Sequence, residues 1–250
     1  MLTINGPDDF DAVADSLLNR YLLIINNQEW RITEIEFYYY SDEHPDGYTH
    51  KDTNQKKSNE WYFHRQNGGA FKGGTYKGLD ISCGNGINYG GILIRSISRD
   101  NQLIEGPCNV VNKILEITCC DSISDLVTKI TSNIFENGLL YLKETFDNKV
   151  EIMKGPRVGL TLKQNKQLDY IYKNYRYVTT CNVKKNKCTL VLSEFISNKN
   201  ILDQRNLNRW LDLYNNGKTK TDTYFLSENP GISTVKVQCE LLGFIHSKVQ

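Results

Sequence analysis

Two glutamates and a tyrosine alternate along one short segment of the chain, residues 31–40. Glu34, Glu36 and Tyr38 are spaced two residues apart, with apolar residues between them. Because successive side chains of a strand point to opposite faces, these three are expected on one face. A carboxylate can activate water as a general base, and a tyrosine ring can stack on a planar group. The segment therefore predicts a pocket for a flat, hydrolysable ligand, although acids on the open face of an antiparallel strand are also common.

A single arginine interrupts an apolar strand later in the chain. Arg95 follows the sequence Ile-Leu-Ile within Gly90–Ile97. A charged side chain in a buried strand is costly unless it has a partner. Two interpretations stay open: Arg95 faces a phosphate or an attacking water beside Glu36, or it occupies an exposed alternate position.

Three other polar residues could carry chemistry. His50 lies twelve residues after Tyr38, and His64 and Asp80 flank a glycine-rich segment. Each has an ordinary alternative, since both histidines can be structural and Asp80 can be an exposed strand acid.

An aromatic residue stands at the end of a predicted hairpin. Phe71 lies between the glycine pairs 68–69 and 73–74. An apolar ring on a flexible, glycine-rich tip is poorly explained by burial, whereas a side chain that wedges between stacked bases would explain it. The pattern favours contact with a nucleic acid.

Hydrophobic periodicity predicts an α+β protein, with a curved antiparallel β-sheet flanked by helices. We expect one domain over residues 1–178 and a basic extension over 179–250 that packs on it. Within this plan, a helix capped by Asp121 or Ser122 runs to about Phe135, and an aromatic strand covers residues 170–178. The extension begins with a basic hairpin that carries Lys184, Lys185 and Lys187, and ends with a strand and a helix.

Composition narrows the functional classes. The chain has 250 residues and a net charge of +1, which argues against a protein that coats nucleic acid without specificity. The charge is uneven: residues 1–60 carry twelve acids and five bases, whereas residues 181–220 carry eight bases and three acids. A local basic face therefore remains possible.

Cysteine and histidine usage indicates an intracellular protein without a metal. The seven cysteines form no CxxC pair, and the four histidines lack zinc-site spacing. No export signal and no apolar run of about 18 residues is present, so we expect reduced thiols, a cytoplasmic or nuclear location and no membrane span.

The ordered set of motifs over residues 8–178 resembles the alkyladenine (3-methyladenine) DNA glycosylase family. The segments that carry this resemblance are Arg31-Ile-Thr-Glu-Ile-Glu36-Phe-Tyr38, His50, the strand pair around the glycine-rich tip, Leu93-Ile-Arg95-Ser, Glu105-Gly-Pro107, Pro156-Arg157-Val-Gly159 and Tyr175-Arg176-Tyr177. The resemblance implies an enzyme that flips a damaged base out of duplex DNA and hydrolyses its N-glycosidic bond.

The resemblance also implies residue roles. Glu36 would be the general base that activates water, and Arg95 would lie beside that water. Tyr38 would stack on the flipped base, and His50 would form a hydrogen bond near it. Phe71 would take the place of the family's hairpin tyrosine, which fills the gap left in the duplex.

Two pocket positions depart from the family pattern. His64 stands where the family has a second stacking tyrosine, and Asp80 stands where it has a pocket asparagine. An ionised aspartate only accepts hydrogen bonds, so it would favour a base with an exocyclic amine, as in a modified cytosine. DNA phosphates are expected to meet four lysines: Lys72, Lys184, Lys185 and Lys187.

The resulting expectation is a monomeric, monofunctional glycosylase that binds double-stranded DNA, uses no cofactor and leaves an abasic site. Because no lysine lies within the motif set, water is expected to be the nucleophile. The alternatives are a non-catalytic reader of modified bases, a glycosylase for modified cytosine that acts against foreign DNA, and a domain that shares only the fold. The basic extension can equally be a solvated packing element.

Overall fold

The computed structural model describes residues 2–67, 69–146, 149–160, 168–180, 183–221, 224–225 and 234–248. The chain divides into two compact units, Met1–Ile152 and Met153–Gln250. The predicted domain boundary after residue 178 and the packing of the extension stay predictions. In the described part of the chain, no helix is both long enough and apolar enough to cross a membrane.

The first unit is built on an antiparallel sheet with helices around it, which confirms the predicted α+β class with a curved antiparallel sheet. Its strands are β1 (Tyr21–Ile25), β2 (Gln28–Tyr40), β3 (Ser58–Phe63), β4 (Leu79–Cys83), β5 (Tyr89–Arg99), β6 (Gln102–Glu105) and β7 (Leu140–Glu144). They lie in the order β3-β4-β5-β2-β1-β7, and β6 pairs with β5. The helices are α1 (Phe10–Asn19), α2 (Pro107–Thr118) and α3 (Ile123–Lys129).

Strand β2 is the longest element of the sheet and separates an apolar face from a polar one. Its apolar residue Phe37 stacks on Phe10 of α1, with ring centroids 4.4 Å apart and planes inclined by 10°. The alternate residues Glu34, Glu36 and Tyr38 therefore point to the other face, as the spacing predicts. The pairing with β5 is locally irregular between Ile32 and Ile35 and regular from there on.

The second unit consists of a two-stranded antiparallel ribbon and several helices. In chain order these are β8 (Met153–Gly155), α4 (Leu168–Ile171), β9 (Arg176–Val178), α5 (Lys187–Asn198), α6 (Gln204–Lys218) and α7 (Val235–Lys248). Helices α6 and α7 are in very close contact, because a Cβ on Gly243 would lie only 1.9 Å from the carbonyl oxygen of Tyr214. Glycine is the only residue that permits this approach.

Three local predictions are wrong. The helix capped by Ser122 ends at Lys129, because Ile130 adopts an extended conformation. The predicted aromatic strand over 170–178 splits into α4 and the short strand β9. The predicted basic hairpin is a helix start, since α5 begins at Lys187 after Asn186 in a left-handed conformation. The strand predicted before the last helix stays a prediction, because residues 226–233, which precede that helix, lie outside the described residues.

Candidate active site

A buried group of five side chains on β2 and β5 forms the acid–guanidinium cluster: Glu34, Glu36, Tyr38, Arg95 and Ser96. The guanidinium group of Arg95 contacts both acids. Its Nε donates to Glu34 Oε1 at 2.9 Å, and its Nη1 donates to Glu36 Oε2 at 3.4 Å. The hydroxyl of Tyr38 donates to Glu36 Oε2 at 2.9 Å, and that of Ser96 donates to Glu34 Oε2 at 2.7 Å. The structure thus places the predicted catalytic residues Glu36 and Arg95 in direct contact.

The charged members of this cluster are withdrawn from solvent. Glu34, Glu36 and Arg95 are 1%, 0% and 7% exposed. Burial alone would lower the pKa of Arg95, but the carboxylates of Glu36 and Glu34 outweigh that effect and raise it, so the guanidinium stays charged. Two interpretations are therefore wrong: that the two glutamates are exposed strand acids, and that Arg95 occupies an exposed alternate position.

A row of paired residues links this cluster to a second polar group on the same face of the sheet. Glu36 pairs with Leu93, Leu93 pairs with Asp80, and Asp80 pairs with Tyr62. Directly paired residues of antiparallel strands project to the same side. Strands lie about 4.8 Å apart, so the backbones of Glu36 and Asp80 are roughly 10 Å apart.

The second group is the histidine cluster, formed by His50, Gln55, His64, Lys72 and Asp80. His64 Nε2 donates to Asp80 Oδ1 at 2.7 Å, and Gln55 Nε2 donates to Asp80 Oδ2 at 3.3 Å. The rings of His50 and His64 meet edge to face with centroids 4.5 Å apart. Lys72 Nζ lies 3.4 Å from His50 Nε2. The structure thus brings together His50, His64 and Asp80, and Lys72 with them.

Two glycines allow the histidine cluster to pack closely on the sheet. A Cβ on Gly78 would lie 2.5 Å from His64 Nδ1, and a Cβ on Gly91 would lie 2.8 Å from Asp80 Oδ2. Asp80 is 2% exposed, so its interpretation as an exposed strand acid is wrong. Burial, together with the charges of Asp52 and Asp80, raises the pKa of the neighbouring Tyr62, which keeps that phenol protonated.

His50 is held in its neutral form. Desolvation of the ring, followed by the Coulombic effects of His64 and Lys72, lowers the pKa of His50 to about 4. The pKa is lowered although the His50 side chain is partly exposed. Because the Lys72 ammonium group can only donate, His50 Nε2 acts as the acceptor of their contact. At neutral pH the remaining ring nitrogen, Nδ1, then carries the proton.

The predicted wedge residue Phe71 is half-buried rather than free at the hairpin tip. Its ring meets Phe63 edge to face at 6.3 Å, and the guanidinium group of Arg65 covers it at 4.1 Å. A bridge pairs Arg65 with Phe71, which places the exposed turn at residues 66–70, of which Gly68 lies outside the description. The intercalating role of Phe71 stays a prediction.

An aromatic side chain that we did not single out projects from the same loop. Tyr76 lies in a short 3-10 turn, Gly74–Tyr76, and is 77% exposed. Cys108 at the start of α2 anchors this turn through a hydrogen bond from Sγ to the carbonyl oxygen of Gly74, at 3.1 Å. Gly74 and Gly78, two residues before and after Tyr76, indicate a loop in the sequence, but they do not indicate that the Tyr76 side chain is exposed.

The lysines predicted to meet DNA phosphates lie in different parts of the chain. Lys72 belongs to the histidine cluster, in the first unit. Lys184, Lys185 and Lys187 belong to the second unit, at the start of α5. Lys184 and Lys185 are exposed, and Lys187 forms an ion pair of 3.0 Å with Asp203. Their contact with phosphate stays a prediction.

Two cavities lie in the described part of the chain near Arg99, and neither is lined by a member of the two clusters. The larger, about 870 Å³, lies where the turn between β5 and β6 meets α2, and the other, about 630 Å³, lies on the opposite side of Arg99. Both are open, and their charged side chains pair with one another, as Lys113 does with Glu116 at 2.6 Å. We place the candidate site at the buried clusters, because buried charges indicate function more strongly than cavity size does.

Comparison with known proteins identifies a relative in a giant virus. No protein-family model matches the chain. It is 40% identical over 203 residues to the uncharacterized protein L759 of Acanthamoeba polyphaga mimivirus, an alignment that covers 74% of this chain and 93% of that protein. The chain belongs to the same family as this mimivirus protein. Membership carries no statement about substrate or reaction.

Cysteine and metal chemistry add little to the site. The six described cysteines are free, and Cys181 lies outside the described residues. Among the described residues, no group of three or more histidine, cysteine and acidic side chains is arranged to hold a metal ion.

Arg95→Met is expected to destabilise the fold by about 3 kcal/mol at neutral pH, because it leaves two buried carboxylates without their shared cation. Urea unfolding at neutral pH measures this loss. The matched control is Arg99→Met on the same strand, whose side chain is 43% exposed. It should change stability by less than about 0.5 kcal/mol, and an equal loss in the two variants would contradict the prediction.

His50→Gln is expected to alter how stability depends on pH. The pKa of His50 in the folded protein is about 4, below its ordinary value of about 6.5. The neutral ring therefore contributes its full share of the unfolding free energy only above about pH 6.5. That contribution is lost as the pH falls from about 6.5 to about 4. The difference in unfolding free energy between wild type and variant should therefore decrease on acidification. A difference that stays constant over this range would rule out a lowered pKa of His50 in the folded protein.

Proposed function

We propose that the protein is a monofunctional DNA glycosylase that flips a damaged or modified base from duplex DNA and hydrolyses its N-glycosidic bond. The observation that carries the proposal is the contact of buried Glu36 with Arg95, on the sheet face that also holds the histidine cluster. The resemblance of residues 8–178 to the alkyladenine DNA glycosylases supports the same reaction.

The chemistry suits an acid held in this way. Cleavage of a nucleobase from its sugar develops oxocarbenium character on the sugar, which a nearby carboxylate stabilises. Glu36 would accept a proton from water as the water oxygen bonds to C1′, and the bond from C1′ to the base nitrogen would break, with its electron pair leaving on the base. Arg95 would orient the water and hold Glu36 in its ionised form.

The histidine cluster would form the base pocket. The neighbouring rings of His50 and His64 would contact the flipped base, and the hydrogen bond to Asp80 would hold His64 in position. Both oxygens of Asp80 already accept hydrogen bonds, from His64 and from Gln55. A base amine would have to share one of those oxygens, so the argument that Asp80 selects a modified cytosine is weakened, and that substrate remains an alternative.

A non-catalytic reader of modified bases is the second candidate, and one observation favours it. Glu36 is 0% exposed, and it lines neither of the two cavities described above. Catalysis therefore requires that DNA binding admits water and sugar beside Glu36. Tyr38, the half-buried member of the cluster, donates to Glu36, so movement of Tyr38 would free that carboxylate. A reader would need no such opening.

Glu36→Gln separates these candidates. In a glycosylase this variant should retain binding to an abasic-site duplex and lose at least about 100-fold in base release, because the general base is gone. Duplexes that carry alkylated, deaminated or hypermodified bases are incubated with each protein, and abasic sites are then cleaved with alkali. Undiminished release by the variant would refute the role of Glu36. Binding without release by both proteins would identify a reader.

The loop between β3 and β4 would contact the duplex. It contains no acidic residue from Trp61 to Leu79, and it carries Arg65, Lys72 and Lys77. Tyr76 is its exposed aromatic side chain, whereas Phe71 must leave its contacts with Phe63 and Arg65 to enter DNA. Both residues are thus candidates for the wedge that fills the gap left by a flipped base.

Alanine substitutions at these two positions distinguish the wedge from a packing residue. Tyr76→Ala should reduce the fluorescence of a reporter base beside the flipped position, while stability changes by less than about 0.5 kcal/mol. Phe71→Ala should reduce the same signal and also lower the unfolding free energy by about 1 kcal/mol or more, since its ring is half-buried. If neither substitution alters the fluorescence, this loop does not insert into DNA.

A further inference from the structure

The carboxylate of Glu36 receives a hydrogen bond from a residue that the sequence assigns to base stacking. Tyr38 OH donates to Glu36 Oε2 at 2.9 Å, and the two residues share a face of β2. A hydroxyl that donates to a carboxylate favours its ionised form. The Tyr38 hydroxyl therefore acts on the charge of Glu36, apart from any stacking by its ring.

Glu34 acts on the same carboxylate in the opposite direction. Its Oε1 accepts from Arg95 Nε at 2.9 Å, and its Oε2 accepts from Ser96 Oγ at 2.7 Å. The same guanidinium group also contacts Glu36, with Nη1 and Nε each 3.4 Å from a Glu36 carboxylate oxygen. As a buried negative charge two residues from Glu36, Glu34 also disfavours a second negative charge there.

We propose that Tyr38 and Glu34 are positioning residues that set the charge state of Glu36 in opposite directions, Tyr38 through its hydroxyl and Glu34 through its like charge. The effect of these residues on catalysis rests on the proposed function. Their effect on the charge of Glu36 does not depend on it. Other titratable groups on this face include Asp80 on β4 and Tyr62 on β3, in the row of paired residues that begins at Glu36, and Glu105 on β6, which pairs with Ser96. His50, His64 and Lys72 lie around Asp80 in the histidine cluster.

The test uses two substitutions that preserve shape, Tyr38→Phe and Glu34→Gln. Activity requires ionised Glu36, so the acidic limb of the pH–activity profile reports its protonation. Tyr38→Phe removes a donor to the ionised form, and the limb should move to higher pH by about 1 unit. Glu34→Gln removes a like charge, and the limb should move to lower pH by about 1 unit. Tyr40→Phe, the next tyrosine on the same face of β2, is the matched control and should leave the limb in place.

A measurement without substrate separates this inference from the proposed function. In protein labelled with ¹³C at the glutamate side-chain carboxyls, the signal of residue 36 is identified by its loss in Glu36→Gln and followed through a pH titration. The two substitutions should displace its midpoint in opposite directions, as in the activity profile. If base release is absent but the displacements are opposite, the reaction is wrong and the electrostatic arrangement stands.

Displacements in the same direction, or none in either variant, overturn the inference. Should Glu34→Gln fail to fold, Ser96→Ala takes its place. It removes the hydrogen bond to Glu34, which makes that acid easier to protonate, and so should move the midpoint of residue 36 to lower pH by a smaller amount.

Discussion

The burial of charge between β2 and β5 is the constraint on which the rest of the site depends. Two acids and a guanidinium group lie within a sheet whose other face packs on an apolar core, and each is at most 7% exposed. Desolvating such groups is expensive, and hydrophobic residues of similar size would often be as stable or more so. Stability alone therefore does not explain why these charges are buried, and the activation of water that we propose for Glu36 would explain it.

The same face shows how the sheet brings distant residues to one place. Asp80 and Glu36 are far apart in sequence, but each pairs with Leu93, so their side chains project to the same side. Gly78 and Gly91 lack the Cβ atoms that would collide with His64 and Asp80. The backbone thus makes room for a hydrogen-bonded polar group on a strand surface that would otherwise be apolar.

Several of these features follow from sequence and several do not. Strand alternation predicts that Glu34, Glu36 and Tyr38 share a face, and the apolar residues around Arg95 predict that it needs a partner. The partner itself, and the role of Ser96, depend on the pairing of β2 with β5, which periodicity alone does not specify. Gln55 could not be predicted, because its contact with Asp80 depends on how a short 3-10 turn, Thr53–Lys56, lies over the sheet.

The loop between β3 and β4 shows a different limit. Glycine content predicts a turn there, but the exposure of Tyr76 and the burial of Phe71 depend on tertiary contacts with α2 and with Phe63. In the second unit, composition predicts a basic segment at Lys184–Lys187, whereas a left-handed Asn186 determines that a helix begins there. Local pattern thus indicates the type of segment, and packing decides which side chain is presented.

The most direct test of the account compares the affinity of the wild-type protein for two duplexes that differ only at an abasic-site analogue. One analogue is a cationic pyrrolidine, which mimics the oxocarbenium character of the sugar, and the other is a neutral tetrahydrofuran. Because an enzyme binds its transition state more tightly than its ground state, the account predicts at least about 100-fold tighter binding of the pyrrolidine duplex. Equal affinity for the two duplexes, or no affinity for either, would contradict the claim that Glu36 and Arg95 form a glycosidic-bond-cleaving centre.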